Sequence, residues 1–193
     1  MSQIQTIDEK ILRELDEIHK NIREDLRTLL ALIEMQYNTT NEKLGISLMI
    51  REELRESNDL ILNNLSMYVS LNEKDIIKIM KILRHGIRSN ELPQFVNEID
   101  KIQQNKNNLF SLIDETAREL RYHVLNLRNI IDKVEENLIR ENKSVGDLYD
   151  IANKLLKPLF VEYLILLKES FIEIPEEILT KVLLLLYKKT PPS

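Results

Sequence analysis

Ten residues in the first 37 positions, Ile4, Ile7, Ile11, Leu15, Ile18, Ile22, Leu26, Leu29, Ile33 and Tyr37, are spaced 3-4-4-3-4-4-3-4-4. This is an 11-residue repeat, three turns of about 3.67 residues each. It lies so close to the natural helical period that the apolar stripe runs almost straight. The spacing therefore predicts one long helix that packs along its whole length, roughly 50 Å at about 1.5 Å per residue. A compact sphere of this chain length has a radius of gyration of roughly 16 Å. Such a helix must span an elongated bundle or project from it.

Composition supports the same class. Leu occurs 33 times and Ile 25 times in 193 residues, against three Gly and five Pro. Sandwiches and barrels need a turn every 8–12 residues, and eight Gly and Pro cannot supply them. Hydrophobic residues make up 43% and charged residues 31%, enough for a core and too apolar for disorder. The expected fold is all-α: an elongated bundle of long antiparallel helices, six or seven in number, with no sheet.

The stripe recurs at Ile46, Ile50, Leu54, Ser57, Ile61, Leu65 and Tyr68, so residues 1–70 read as a long helical hairpin turning at Asn38-Thr39-Thr40-Asn41. Thr39 and Glu42 have capping-box spacing. Arg51, Arg55, Glu56 and Asn58 make the middle of the second helix more polar than its ends. Residues 71–193 continue the bundle. Asn72 caps a short helix to His85, with Gly86 as a C-cap and Ser89 to Pro93 as a turn. A helix begins near Phe95, and Gln103 to Asn108 reads as a break. Beyond it Leu109, Ile113, Ala117, Leu120, Val124, Leu127, Ile131, Val134 and Leu138 form a second long stripe. Ser144 and Asp147 are capping candidates for a helix from about Val145 to Ser170, which Pro158 should kink. Pro175 opens the last helix, about residues 175–189.

The chemistry-bearing residue types are sparse. Cys is absent, which removes disulfides and thiolate sites and fits a reducing compartment. Met1 to Lys10 has no secretory pattern, and charges interrupt the apolar stretch from Leu155 to Tyr187, so no membrane span is expected. These features point to a cytoplasmic protein. Gly45, Gly86 and Gly146 are too scattered for a phosphate-cradling loop. His19 and His123 flank apolar seams and read as boundary residues. The carboxylate pairs Asp132/Glu136 and Glu115/Glu119 could hold a hard cation, but a helical wheel puts them away from the stripe as solvated charge. Neither a catalytic set, a cofactor nor a metal is expected.

One segment carries a family resemblance. The order Val96-Asn97-Glu98-Ile99-Asp100-Lys101-Ile102, a long amphipathic helix with Glu119-Leu120-Arg121-Tyr122, Asn129 to Glu136, then a Leu-rich helix resembles PhoU-like phosphate-uptake regulators. The resemblance covers roughly residues 95–168. It implies an antiparallel helical adaptor able to hold metal on acidic i,i+4 motifs, represented here only by Asp132-x-x-x-Glu136.

Two surfaces are candidates for partners. The helix from Glu73 to Arg88 carries Lys74, Lys78, Lys81, Arg84, His85 and Arg88 opposite an apolar face of Ile76, Met80, Leu83 and Ile87. It reads as a solvated face or as a surface for an acidic protein, a phosphate backbone or an anionic membrane surface. A nucleic-acid-binding subunit using residues 73–88 is the alternative function, although no aromatic interleaves for base stacking and the net charge of −5 argues against general nucleic-acid binding. In the last helix Val182, Leu183, Leu184, Leu185, Leu186 and Tyr187 cover more than one face. One side can pack around Phe160, Leu164 and Leu167. The other is a central helix face, a buried strand or an interface. The expectation is a non-enzymatic interaction protein, forming a homodimer or a complex with a protein partner through Val182, Leu184, Leu185 and Leu186.

Overall fold

The computed structural model describes residues 7–37, 42–85, 109–171 and 174–189. Among these residues the chain forms six α-helices and no strand: α1 (Glu9–Tyr37), α2 (Glu42–Ser66), α3 (Glu73–His85), α4 (Leu109–Arg140), α5 (Gly146–Ser170) and α6 (Glu176–Lys189). The Thr39 cap, Gly86, Ile87, Arg88, the turn to Pro93, the helix from Phe95 and the polar run 103–108 lie outside the described residues, as do the side chains of Ile4, Tyr37, Ile46, His85 and Leu109.

The helix ends follow from local chemistry. At α1, Asp8 Oδ1 accepts from the Lys10 amide at 3.3 Å and the Asp8 carbonyl accepts from Leu12 N at 3.1 Å, an N-cap arrangement. At α3 the Asp75 amide donates to Asn72 Oδ1 at 2.9 Å, and the Asn72 amide donates to Asp75 Oδ2 at 3.1 Å. That reciprocal pair is a capping box. Helix α4 ends with Asn142 in the left-handed region, φ 55°. Lys143 N reaches Leu138 O at 2.8 Å and Asn142 N reaches Ile139 O at 3.1 Å, which is the Schellman pattern. At α5 the N-cap is Val145, with no side-chain cap. Ser144 instead accepts from the Gly146 amide at 3.2 Å, and Asp147 sits in the first turn. The helix runs through Pro158. Pro175 precedes α6, its carbonyl accepting from Leu179 N at 3.0 Å.

Four helices make the core. Side-chain pairs fix their directions. Tyr68 with Asp132, Asn64 with Arg128 and Glu53 with Arg121 run in step along α2 and α4, so these two are parallel. Arg51 with the Ser170 carbonyl, Asn58 with Tyr163 and the Ser70 amide with Asn153 run in opposite order, so α2 and α5 are antiparallel. Asp25 faces Glu119 and His123, while Ile7 and Ile11 share a cleft with Val134 and Leu138, which makes α1 and α4 antiparallel. The bundle is therefore up-down-down-up. Both α1 and α2 pack along the α4 and α5 helices as well as on each other, so the first two helices and the later ones form one bundle.

The 11-residue stripe is core. Ile7, Leu15, Ile22, Leu26, Leu29 and Ile33 are buried, with Ile11 and Ile18 partly buried against them. Every stripe position from Ile50 on α2 to Tyr68 just beyond its end is buried, Ser57 included, and on α4 so is every one from Ile113 to Leu138. Helix α5 is buried on several sides because α1, α2 and α3 surround it. This also changes the place of α6. The α5 residues Phe160, Leu164 and Leu167 are consumed by the four-helix core, and α6 packs mainly on α2 instead. Helix α3 packs on α5 through Ile79, Ile82 and Leu83, with Ile76 and Met80 at the margin. Its buried face is thus rotated from the one read off the spacing, and Ile77 is left 61% exposed.

Candidate functional site

The residues singled out on α3 stand on its outer side: Lys74, Lys78, Lys81 and Arg84 are all exposed. On α6 the apolar run divides. Val182 and Leu186 are buried and belong to the core, not to the outward face expected of them. Leu183 and Leu185 are partly buried, whereas Leu184 is 56% and Tyr187 79% exposed. The i,i+3 spacing of Leu184 and Tyr187 puts them on one face.

A second constellation was not assembled from the sequence. Asp25 on α1 and Glu119 and His123 on α4 bring one donor atom each to within 4.8 Å of one another, the one such group among the described residues. Asp25 occupies a seam position, three residues after Ile22 and four before Leu29, so helix geometry drives it toward the core. It is 7% exposed. His123, in the same way, stands between Leu120 and Leu127 and is partly buried, while Glu119 one turn earlier is on the exposed rim. Glu119 and His123 share a helix face because four residues is close to one turn. The antiparallel crossing of α1 supplies the third group.

Electrostatics at this point are unusual. Burial, the neighbouring Glu119 charge, a side-chain hydrogen bond with Glu119 and the Glu24 charge push the Asp25 carboxyl up to about 8. Like charges in a poorly solvated place cannot both ionise freely. Near neutral pH Asp25 therefore keeps a proton and shares it with Glu119. Its Oδ2 is buried without a hydrogen-bond partner, 3.9 Å from His123 Nε2. That is too long for a hydrogen bond. The group can thus hold a proton between two carboxyls or offer two oxygens and a nitrogen to a cation.

Other polar residues at this level are engaged structurally. Arg23 pairs with Glu162 at 3.3 Å. His19, half-buried near Arg23, is held below the usual histidine range by burial first and then by that guanidinium, with Asp16 opposing. The acidic pairs divide: Asp132 accepts from Tyr68 Oη at 2.7 Å and faces Arg128 at 3.6 Å, while Glu136 and Glu115 are exposed. Of the two pairs considered, only Glu119 enters a cluster. The readable signal was an acid on the α1 seam between Ile22 and Leu29. Glu119 and His123 are each visible in the sequence, as an acidic-pair member and a seam-flanking histidine, but no local pattern joins them to Asp25.

No helix among the described residues is long and apolar enough to cross a membrane. No family model, curated protein or solved structure matches this chain.

Proposed function

We propose that the protein is a non-enzymatic helical interaction protein that docks through the outward face of α6, with a second copy of the chain as its partner. The observation that carries this reading is the pair Leu184 and Tyr187, 56% and 79% exposed on a helix whose other side is anchored by Val182 and Leu186. A fully buried Leu is about 1.5–3 kcal/mol better off than an exposed one, so covering this face favours association. Tyr suits an interface centre because it offers a large area with few rotamers and a polar tip. Helix α6 is held to α2 by the Lys181–Asp59 ion pair beside a cleft of about 690 Å³. Val182 and Leu186, buried in the core, seat the helix before any partner arrives. The exposed cations of α3 would favour an acidic surface on whatever joins the assembly.

Light scattering across a concentration series tests the reading. The full-length chain should approach twice its 22.8 kDa mass. The double substitution Leu184→Lys, Tyr187→Lys should return it to a single chain with an unchanged helical circular dichroism spectrum. A wild-type chain that stays at one copy throughout, indistinguishable from the double variant, refutes it.

A further inference from the structure

We propose that Asp25, Glu119 and His123 bind one divalent first-row transition cation of the zinc type, joining α1 to α4. The three donor atoms already lie within 4.8 Å of each other, and the Asp25 to His123 separation is 3.9 Å. A tetrahedral ion with ligands at about 2.0–2.1 Å holds its donors roughly 3.4 Å apart. Closing the group around an ion therefore needs side-chain movements of about an ångström or less. The Glu119 side chain, on the exposed rim, is free to make them.

A second observation points the same way. Asp25 is 7% exposed, and its Oδ2 has no hydrogen-bond partner. Buried polar atoms are nearly always satisfied, and each exception asks for a reason. This orphaned oxygen is aimed at an imidazole nitrogen beyond hydrogen-bond range. A cation between them would satisfy both at once.

The donor types set the class of ion. One imidazole with two carboxylates suits zinc, cobalt, iron or manganese. Magnesium and calcium prefer oxygen ligands throughout, with six or more positions to fill. Binding displaces the proton that Asp25 and Glu119 share, and the two carboxylates then balance a doubly charged ion. Three protein donors leave a fourth position for water, reached from the Glu119 side. The register of the two helices is fixed independently by the buried apolar stripes that meet between them. The site is therefore organised before the ion arrives.

Isothermal titration calorimetry on the full-length, chelator-stripped protein tests this with zinc chloride and, separately, magnesium chloride. Zinc should bind saturably at one ion per chain, and magnesium should not bind at the same concentrations. His123→Ala and Glu119→Gln should each weaken zinc at least about tenfold, while His19→Ala, two turns away from the group on α1, should leave binding unchanged. Zinc should raise the melting midpoint of the wild type and not that of His123→Ala. Cobalt offered in place of zinc should show visible absorption that His123→Ala abolishes. Glu119 lies on the exposed rim, so its Gln variant keeps the test open should His123→Ala fold poorly. No saturable zinc binding would overturn the proposal in favour of a carboxyl pair joined by a proton. Equal binding by wild type and both variants would place the ion elsewhere and overturn it too, as would equal affinity for magnesium.

Discussion

Replacing Tyr163 by Phe should destabilise the protein although the ring stays in place. Tyr163 is fully buried, and its hydroxyl donates to Asn58 Oδ1 across the α2–α5 interface. Asn58 is 3% exposed, and its Nδ2 already lacks a partner. The substitution deletes one oxygen and strands the Asn58 carbonyl as well. A buried acceptor left unsatisfied costs about 1–3 kcal/mol. For a chain of this size that corresponds to a fall in melting midpoint of roughly 2–4 °C per kcal/mol. Asn58→Leu should cost a similar amount, because it strands the tyrosine hydroxyl instead. The double variant Tyr163→Phe, Asn58→Leu leaves no orphan and should recover most of the loss, to within about 1 kcal/mol of wild type. Urea denaturation followed by circular dichroism reads all four proteins, provided the slopes agree so that midpoints report stability alone. A Tyr163→Phe variant within about 0.5 kcal/mol of wild type, or a double variant whose losses simply add, would show that this pair carries no net interaction and would refute the reasoning.

Three further outcomes are expected. Asp25 holds its proton up to about pH 8 when folded but releases it near pH 4 when unfolded. The folded state thus binds more protons between those values, and stability falls as pH rises through that window, by up to about 1.4 kcal/mol per unit. In chelator, melting curves of wild type should therefore fall further between pH 5 and pH 9 than those of Asp25→Asn, and parallel curves would count against the buried acid. Asn72→Ala removes the side chain that accepts from the Asp75 amide, so it should cost about 1 kcal/mol in chemical denaturation; no loss would mean that the cap is idle. Leu26→Ala, at a fully buried stripe position, should cost about 2–5 kcal/mol, whereas Ile77→Ala, 61% exposed on α3, should stay within about 0.5 kcal/mol in the same assay.

What could be read without the structure is what short-range geometry controls. A helix repeats every few residues, so the stripe from Ile7 to Ile33 names its own buried face, and so does the α2 series through Ser57. Caps are equally local: Asn72 and Pro175 mark helix starts because their side chain or ring acts within one turn. Reading failed where two neighbours compete. The α3 stripe pointed to Ile76 and Met80, yet Ile79 and Ile82 are the deeper residues, because the face that counts is the one α5 presents. Val145 took the cap position expected of Ser144 or Asp147.

Among the described residues, the long helices α1, α2 and α4 and their apolar faces are determined by the sequence alone, since each depends on residues within a few turns of one another. The order in which those helices surround each other is not. Whether the α6 run packs on α5 or on α2, and which of its leucines remain outside, depends on how much of α5 is already covered by α1, α2 and α3. The same holds for the cluster. Asp25 by itself is an acid on an apolar seam and Glu119 by itself a solvated carboxylate. Only the antiparallel register of α1 against α4, set by stripes that must interlock along their whole length, brings them and His123 within 4.8 Å. The electrostatic strain and the binding capacity there arise from that through-space contact, which no local pattern encodes.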